Sequence, residues 1–203
     1  MNGIEMNQAI RNTLADLKNY ADELRDLDAA LGDGDLGVTI SLGADAITSS
    51  LASLPENASP VDIAQACATS FADANPSTMA ALVAGALLAG SGLWEGKSEI
   101  TIADTAAFTL AAGESIAKRG RSQVGDKTIL DAVVPAANAM AAESDPAVAL
   151  EAGIAAAEKA VVDTRALQSR RGRASWLQER SVGLQDPGAT AFWYLLRSWK
   201  AAN

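Results

Sequence analysis

Apolar positions recur at spacings of three, four and seven along nearly the whole chain. Ile10, Leu14, Leu17, Leu24 and Leu27 follow that rule, so residues 4–27 read as one amphipathic helix. A second helix is expected from about Gly37 to Leu54. Four later starts pair a capping residue with a proline at the first helical position: Ser59-Pro60, Asn75-Pro76, Asp145-Pro146 and Asp186-Pro187. Further helices are expected over about 102–119, 127–142 and 146–169, and Pro135 should kink the one it falls in. The pattern predicts an all-α protein of roughly eight helices joined by short loops, with residues 1–203 as a single domain. Two connections differ from plain linkers: Asp28 to Gly37 is dense in glycine and aspartate, and Ser169 to Asp186 carries several arginines without an amphipathic period.

Composition agrees with helices. Apolar residues make up 49% of the 203, aromatics only 4%, and alanine is abundant, a mix suited to close-packed helices. The net charge of −9 argues against nucleic acid or anionic lipid as general partners. The single cysteine, Cys67, lies in a helical stretch and reads as a small core residue. The stretch Met79 to Ala89 is too short to span a bilayer, and no N-terminal segment has the pattern of a signal peptide, so a cytoplasmic protein without membrane contact is expected. The chain has no histidine. It therefore cannot carry a phosphohistidine, a Ser-His-Asp triad or a histidine-ligated zinc.

The candidate chemistry lies in the two unusual connections. Asp28, Asp33 and Asp35 are spaced by five and two, with Gly32, Gly34 and Gly37 letting the backbone turn between them. Carboxylates held this close repel one another unless a cation sits among them, and oxygen ligands alone suit Mg²⁺ or Ca²⁺. An EF-hand is excluded, because position twelve from Asp28 is Thr39. The alternative is a solvated Asp-Gly turn in which one aspartate caps the next helix. In the second connection, Arg165, Arg170, Arg171, Arg173 and Arg180 fall within sixteen residues. Their guanidinium forks suit phosphate oxygens and a closing lid, or simply a solvated basic face. Trp176 in the same stretch could cover a nucleotide or anchor the loop. Ser77 and Thr78, at a helix start, could hold an anion or only cap. Gly125-Asp126-Lys127-Thr128 has the look of a P-loop, but no strand precedes it and the upstream glycine is missing, so a P-loop is rejected. Trp193 and Trp199, on the last helix, read as core or interface residues.

Leu31 to Gly37, Gly125 to Thr128 followed by Asp131, and the nineteen residues from Gly172 to Thr190 resemble, in order, the motifs of the L-subunit family of dihydroxyacetone kinases. The resemblance covers nearly the whole chain. It implies an antiparallel barrel of eight helices that holds ADP or ATP at one end. Two Mg²⁺ ions would sit on Asp28, Asp33 and Asp35. Nucleotide contacts would fall on Leu36, Gly37, Val38, Thr39, Ser77, Thr78, Gly120, Ile129, Arg173, Asp186, Pro187 and Gly188, with Arg173 also in the catalytic role. Three carboxylates and a diphosphate carry about −6, two Mg²⁺ supply +4, and the arginine loop offsets the rest. The implied partner is a K subunit that carries a short-chain ketose on a histidine. A phosphotransferase-system protein is the phosphoryl donor in one branch of the family, free ATP in another. A homodimer is a further option.

This chain departs from the family pattern in three places. Leu36 and Leu184 stand where many members have histidine, and the sequence around Ser77 and Thr78 differs from the usual Gly-Gly-x-Ser-Gly. Thr39 after Gly37 is closer to members that use ATP. Two other readings compete: the kinase domain of fatty acid kinases, which shares the aspartate loop but not the arginine loop, and a regulatory module that binds a transcription regulator according to nucleotide state.

Overall fold

The computed structural model describes residues 1–203, which form nine α-helices and no strand; an isolated bridge pairs Asn2 with Glu99. The helices are α1 (Gly3–Leu17), α2 (Ala21–Leu31), α3 (Leu36–Ala52), α4 (Pro60–Ala74), α5 (Thr78–Ser91), α6 (Ile102–Gly120), α7 (Leu130–Ala141), α8 (Pro146–Asp163) and α9 (Pro187–Ala202). Most starts are fixed by local chemistry. Asn2 with Glu5, Ser59 with Asp62 and Thr101 with Asp104 form reciprocal capping boxes, and Asp145 and Asp186 cap helices that open on proline.

Four expected boundaries are corrected. The helix read over 4–27 is two helices joined by a 3₁₀ turn at Lys18–Tyr20, so the count rises from eight to nine. The apolar pattern skips a turn between Leu17 and Leu24, and there Tyr20 leaves the helical path to stack on Tyr194, with ring centres 4.1 Å apart. Asn75-Pro76 does not start a helix. Asn75 ends α4, and Ser77 caps α5 by accepting from the Ala80 N–H. Helix α7 begins at Leu130 rather than 127, because Asp131 turns back to hold the preceding corner through the Gly125 and Thr128 N–H groups. Helix α8 stops at Asp163. A 3₁₀ turn at Thr164–Ala166 and an extended segment then lead into a run of 3₁₀ turns from Arg173 to Ser181. Pro135 lies inside α7, which continues through it.

Each helix from α2 to α9 packs on the next, and α9 returns to pack on α1 and α2, closing a ring. Short connections between neighbours make them antiparallel. The core has two textures. Leu24, Leu51, Ile63, Phe71 and Trp94 belong to a bulky cluster built largely on α1 to α5. Between α7, α8 and α9 the buried residues are nearly all alanine: Ala132, Ala136, Ala157, Ala160 and Ala189. Small side chains let these three helices approach closely. Cys67 is buried in the bulky cluster, and burial pushes its thiol up to about 12, so it is an inert core residue. No helix is long and apolar enough to cross a membrane.

The alternation of direction decides where the chemistry sits. The connections 32–35, 75–77, 121–129 and 164–186 all fall at one end of the ring. Those at 53–59, 92–101 and 142–145 fall at the other.

Candidate functional site: an aspartate cluster facing an arginine loop

Asp28 stands on the last turn of α2, and Asp33 and Asp35 follow in the turn before α3. Oxygens of the three carboxylates all lie within 4.8 Å of one another. Gly34, at φ +76, supplies the left-handed backbone that reverses the chain there. Gly37 allows the close approach of α3 to α2: a β-carbon on it would lie 2.1 Å from the Ala21 carbonyl oxygen. Asp35 precedes α3 but makes no capping hydrogen bond. That role passes to Asp28, whose Oδ2 accepts from the Leu36 N–H at 3.3 Å. The turn is thus not an ordinary aspartate cap, because Asp33 and Asp35 turn toward charge rather than toward the helix. Burial raises the pKa of Asp28, the Leu36 N–H opposes that rise, and the charges of Asp33 and Asp35 add to it. The repulsion among the three close carboxylates is what a cation placed between them would relieve.

The cation that meets these carboxylates is a guanidinium. Arg173, 140 residues along the chain, donates from Nη1 to Asp33 and lies 3.9 Å from Asp35. Its side chain is 60% exposed, so the pair is screened and free to rearrange. Of the expected contact residues, Gly37, Val38 and Thr39 lie in the first turns of α3; the Thr39 N–H donates to the Asp35 carbonyl at 2.9 Å, while the Gly37 and Val38 N–H groups lack intrahelical acceptors and favour anions. Leu36 shares that turn but packs its side chain into the core, and Val38 is exposed. Ser77 and Thr78 are exposed at the start of α5. Asn75, which sequence reasoning took only for a cap, ties this corner to α3 by donating from Nδ2 to the Thr39 carbonyl at 3.2 Å.

Gly120 ends α6 against Leu82 of α5. Ile129 and Gly188 are neighbours, since a β-carbon on Gly188 would sit 3.5 Å from the Ile129 nitrogen. Asp186 and Pro187 are buried. The Asp186 carboxylate faces inward and accepts from the Ala189 N–H at 2.7 Å. Burial raises its pKa to about 6; the Ala189 N–H, Lys127 and the Gly188 N–H oppose this, and Asp131 adds to it. Trp176 is 80% exposed, so it does not anchor the loop.

Asp126 and Lys127, which the sequence shows only as part of the Gly125 to Thr128 motif, have a supporting role beneath the arginine loop. Lys127 is buried, and its Nζ donates to the carbonyls of Leu167 and Ser181. Asp126, also buried, accepts from Arg171 Nε at 2.9 Å, and its own carbonyl accepts from the Arg170 N–H at 3.0 Å. Burial pushes Asp126 up, but the Arg171 hydrogen bond, the Gln123 N–H and the charges of Arg171 and Arg170 outweigh it, so its pKa is lowered. The Gly-Asp-Lys-Thr corner therefore supports the arginine loop.

A closed ring of antiparallel helices with a carboxylate cluster and an arginine loop in the connections of one end defines the class: an all-α barrel with its candidate site at one rim. The chain belongs to the DAK2 domain family, whose model matches residues 30–201. It is similar to the ADP-binding subunit DhaL of PEP-dependent dihydroxyacetone kinase 1 from Listeria innocua, at 35% identity over 82% of this chain and 79% of that protein. It is 41% identical to the corresponding DhaL subunit of Escherichia coli over 41% of this chain and 42% of that one. It is 33% identical to the L-erythrulose 1-kinase of Mycolicibacterium smegmatis over 94% of this chain. The match spans only 35% of that longer enzyme. The crystal structure of the dihydroxyacetone kinase from C. freundii in complex with AMP-PNP and Mg²⁺ shares the fold, with a TM-score of 0.80 at 21% identity, covering all of this chain and 34% of that one.

Proposed function

We propose that this chain is the nucleotide-binding phosphotransferase subunit of a dihydroxyacetone kinase or of a kinase for a related small ketose. Residues 1–203 act as one nucleotide-binding unit. One observation carries the reading: three carboxylates with oxygens within 4.8 Å face an arginine from a distant loop. Family membership supports it.

In this reading Asp28, Asp33 and Asp35 hold two Mg²⁺, which when bound supply the positive charge that screens the phosphates and the leaving oxygen. The open Gly37 and Val38 N–H groups at the start of α3, flanked by Leu36 and Thr39, face the phosphates together with Ser77 and Thr78. Gly120, Ile129 and the segment Asp186, Pro187, Gly188 line the rest of the nucleotide site. Arg173 leaves Asp33 and follows the transferring phosphoryl group, a role that suits a guanidinium with five donors and an exposed position. The acceptor hydroxyl comes from a ketose on a separate K subunit docked at this end, in the cytoplasm, and the base that takes its proton comes from that partner or from a carboxylate. The donor is either ATP directly or a phosphotransferase-system protein that recharges bound ADP. A homodimer is compatible with either route.

The first test is to denature freshly purified protein and identify released nucleotide and metal. Near-stoichiometric ADP with magnesium is the outcome expected of a resident cofactor recharged in place. An empty protein that binds Mg-ATP selects direct ATP use. A protein that binds no nucleotide with Mg²⁺ present defeats the reading.

A further inference from the structure

Lys127 is among the largest fully buried side chains of the chain, at 2% exposure. Its backbone sits at φ +61, a conformation that non-glycine residues rarely adopt. Its Nζ donates to the Leu167 carbonyl at 3.1 Å and to the Ser181 carbonyl at 2.5 Å, 40 and 54 residues away. These two carbonyls bracket the segment that carries Arg170, Arg171, Arg173 and Arg180. Burying an ammonium is costly, and an apolar side chain of the same volume would fill the place without that cost. What an apolar side chain cannot do is hold two carbonyls at a fixed separation. Adjacent bonds work in the same direction. The Ser169 N–H donates to Ser181 Oγ at 2.9 Å, the Gly183 N–H to the Arg165 carbonyl at 2.7 Å, and Arg171 to Asp126. Lys127 is the one side chain outside the loop that grips both of its legs.

We propose that Lys127 is a positioning residue that ties the legs of the arginine loop at Leu167 and Ser181 and so holds Arg173 over Asp33 and Asp35. It touches neither phosphate nor metal. Without the tie the legs part and Arg173 spends less time over the aspartates, while the aspartates keep their geometry. The kinetic consequence rests on the phosphoryl-transfer reading, but the mechanical one does not.

Trypsin separates the two, because the loop carries four arginines. Lys127→Met should be cut after Arg170, Arg171, Arg173 or Arg180 about tenfold faster than the unaltered protein, with no faster cleavage at Lys118 or Arg119 inside α6. Ile63→Ala, buried near the opposite end, is the control for general loosening. Loop cleavage unchanged in Lys127→Met, or accelerated equally in Ile63→Ala, overturns the proposal. If Lys127→Met gives no cooperative melt, Lys127→Gln takes its place. Its amide offers two donors and should give an intermediate cleavage rate, and a rate equal to the unaltered protein is again fatal. With a K subunit and dihydroxyacetone, Lys127→Met should lose part of the kcat that Arg173→Ala loses, about tenfold, while its Kd for Mg-ADP changes less than about threefold. Parallel loss of both overturns the positioning role. An unaltered protein with no turnover removes the functional reading and leaves proteolysis to decide the tie.

Discussion

The aspartate turn and the arginine loop face each other, yet they are held in opposite ways. The turn at 32–35 is short and needs almost no side-chain support: the end of α2, a left-handed glycine and the start of α3 place its carboxylates. Its charges are then left facing one another, and Arg173 is the cation that meets them. The loop at 167–186 is long and irregular, and it rests on a buried polar layer of Asp126, Lys127, Ser169, Ser181 and Asp186. Beneath it Asp126 pairs with Arg171 and Lys127 with two carbonyls, only the Ser169 hydroxyl among these groups has no partner, and Arg173 is directed outward. Backbone placement on one side and a supported loop on the other suit a site in which the carboxylates stay fixed and the arginine moves.

If that division is right, the largest effect comes from the fixed side. Asp33→Ala and Asp35→Ala should each abolish Mg-dependent nucleotide binding by calorimetry while leaving the helical circular-dichroism signal intact. Melting without ligand should not fall, since each change relieves repulsion in the cluster. Unaltered binding in both variants would remove the metal assignment. On the mobile side, Arg173→Ala should slow phosphoryl transfer by about 10³ and weaken nucleotide affinity by less than about tenfold. Equal losses in kcat/KM and in affinity would make Arg173 an ordinary binding residue and erase the contrast between the two regions.

A smaller effect probes the geometry of the turn itself. Gly37→Ala drives a β-carbon into the Ala21 carbonyl, so α3 must move away from α2. The expected cost is about 1–3 kcal/mol in urea unfolding, with weaker Mg²⁺ binding because Asp35 moves with α3 while Asp28 stays on α2. A variant of full stability and full metal affinity would show that this helix contact does not set the cluster.

Gly37 also marks how far the sequence was legible. Local rules placed the starts at Ser59-Pro60, Asp145-Pro146 and Asp186-Pro187, because a cap and a proline act within one turn. The aspartate cluster was readable for the same reason: its three carboxylates lie within eight residues. Asn75-Pro76 misled because the Asn75 side chain is used at long range, on the Thr39 carbonyl, leaving Ser77 to cap. The break at Tyr20 follows from a stack with Tyr194 that no local pattern contains. Lys127 was invisible as a support because its partners are main-chain carbonyls on the far side of α7 and α8, which carry no residue-type signature. The motif resemblance brought Arg173 and Asp33 to one end of the barrel, but it could not say that they touch.

The smallest expected effect tests the buried layer under the loop through pH. Burial raises the Asp186 pKa from its ordinary 3.8 to about 6 in the folded chain. Between those values the folded state holds the proton more firmly than the unfolded state does. Asp186 therefore adds stability that is full below about pH 4 and is lost as pH rises through 6. Asp186→Asn keeps an oxygen to cap α9 and cannot ionise. Urea unfolding at a series of pH values should show the variant gaining on the unaltered protein from pH 4 to 6 and holding a constant lead above that. Asp104 and Asp126, whose pKa values are lowered, give slopes of the opposite sign, but they are present in both proteins and cancel in the difference. A difference that does not change with pH would mean that Asp186 ionises like an exposed carboxylate. The layer beneath the arginine loop would then be wetter than its packing describes, and the contrast between a fixed turn and a supported loop would lose its second half.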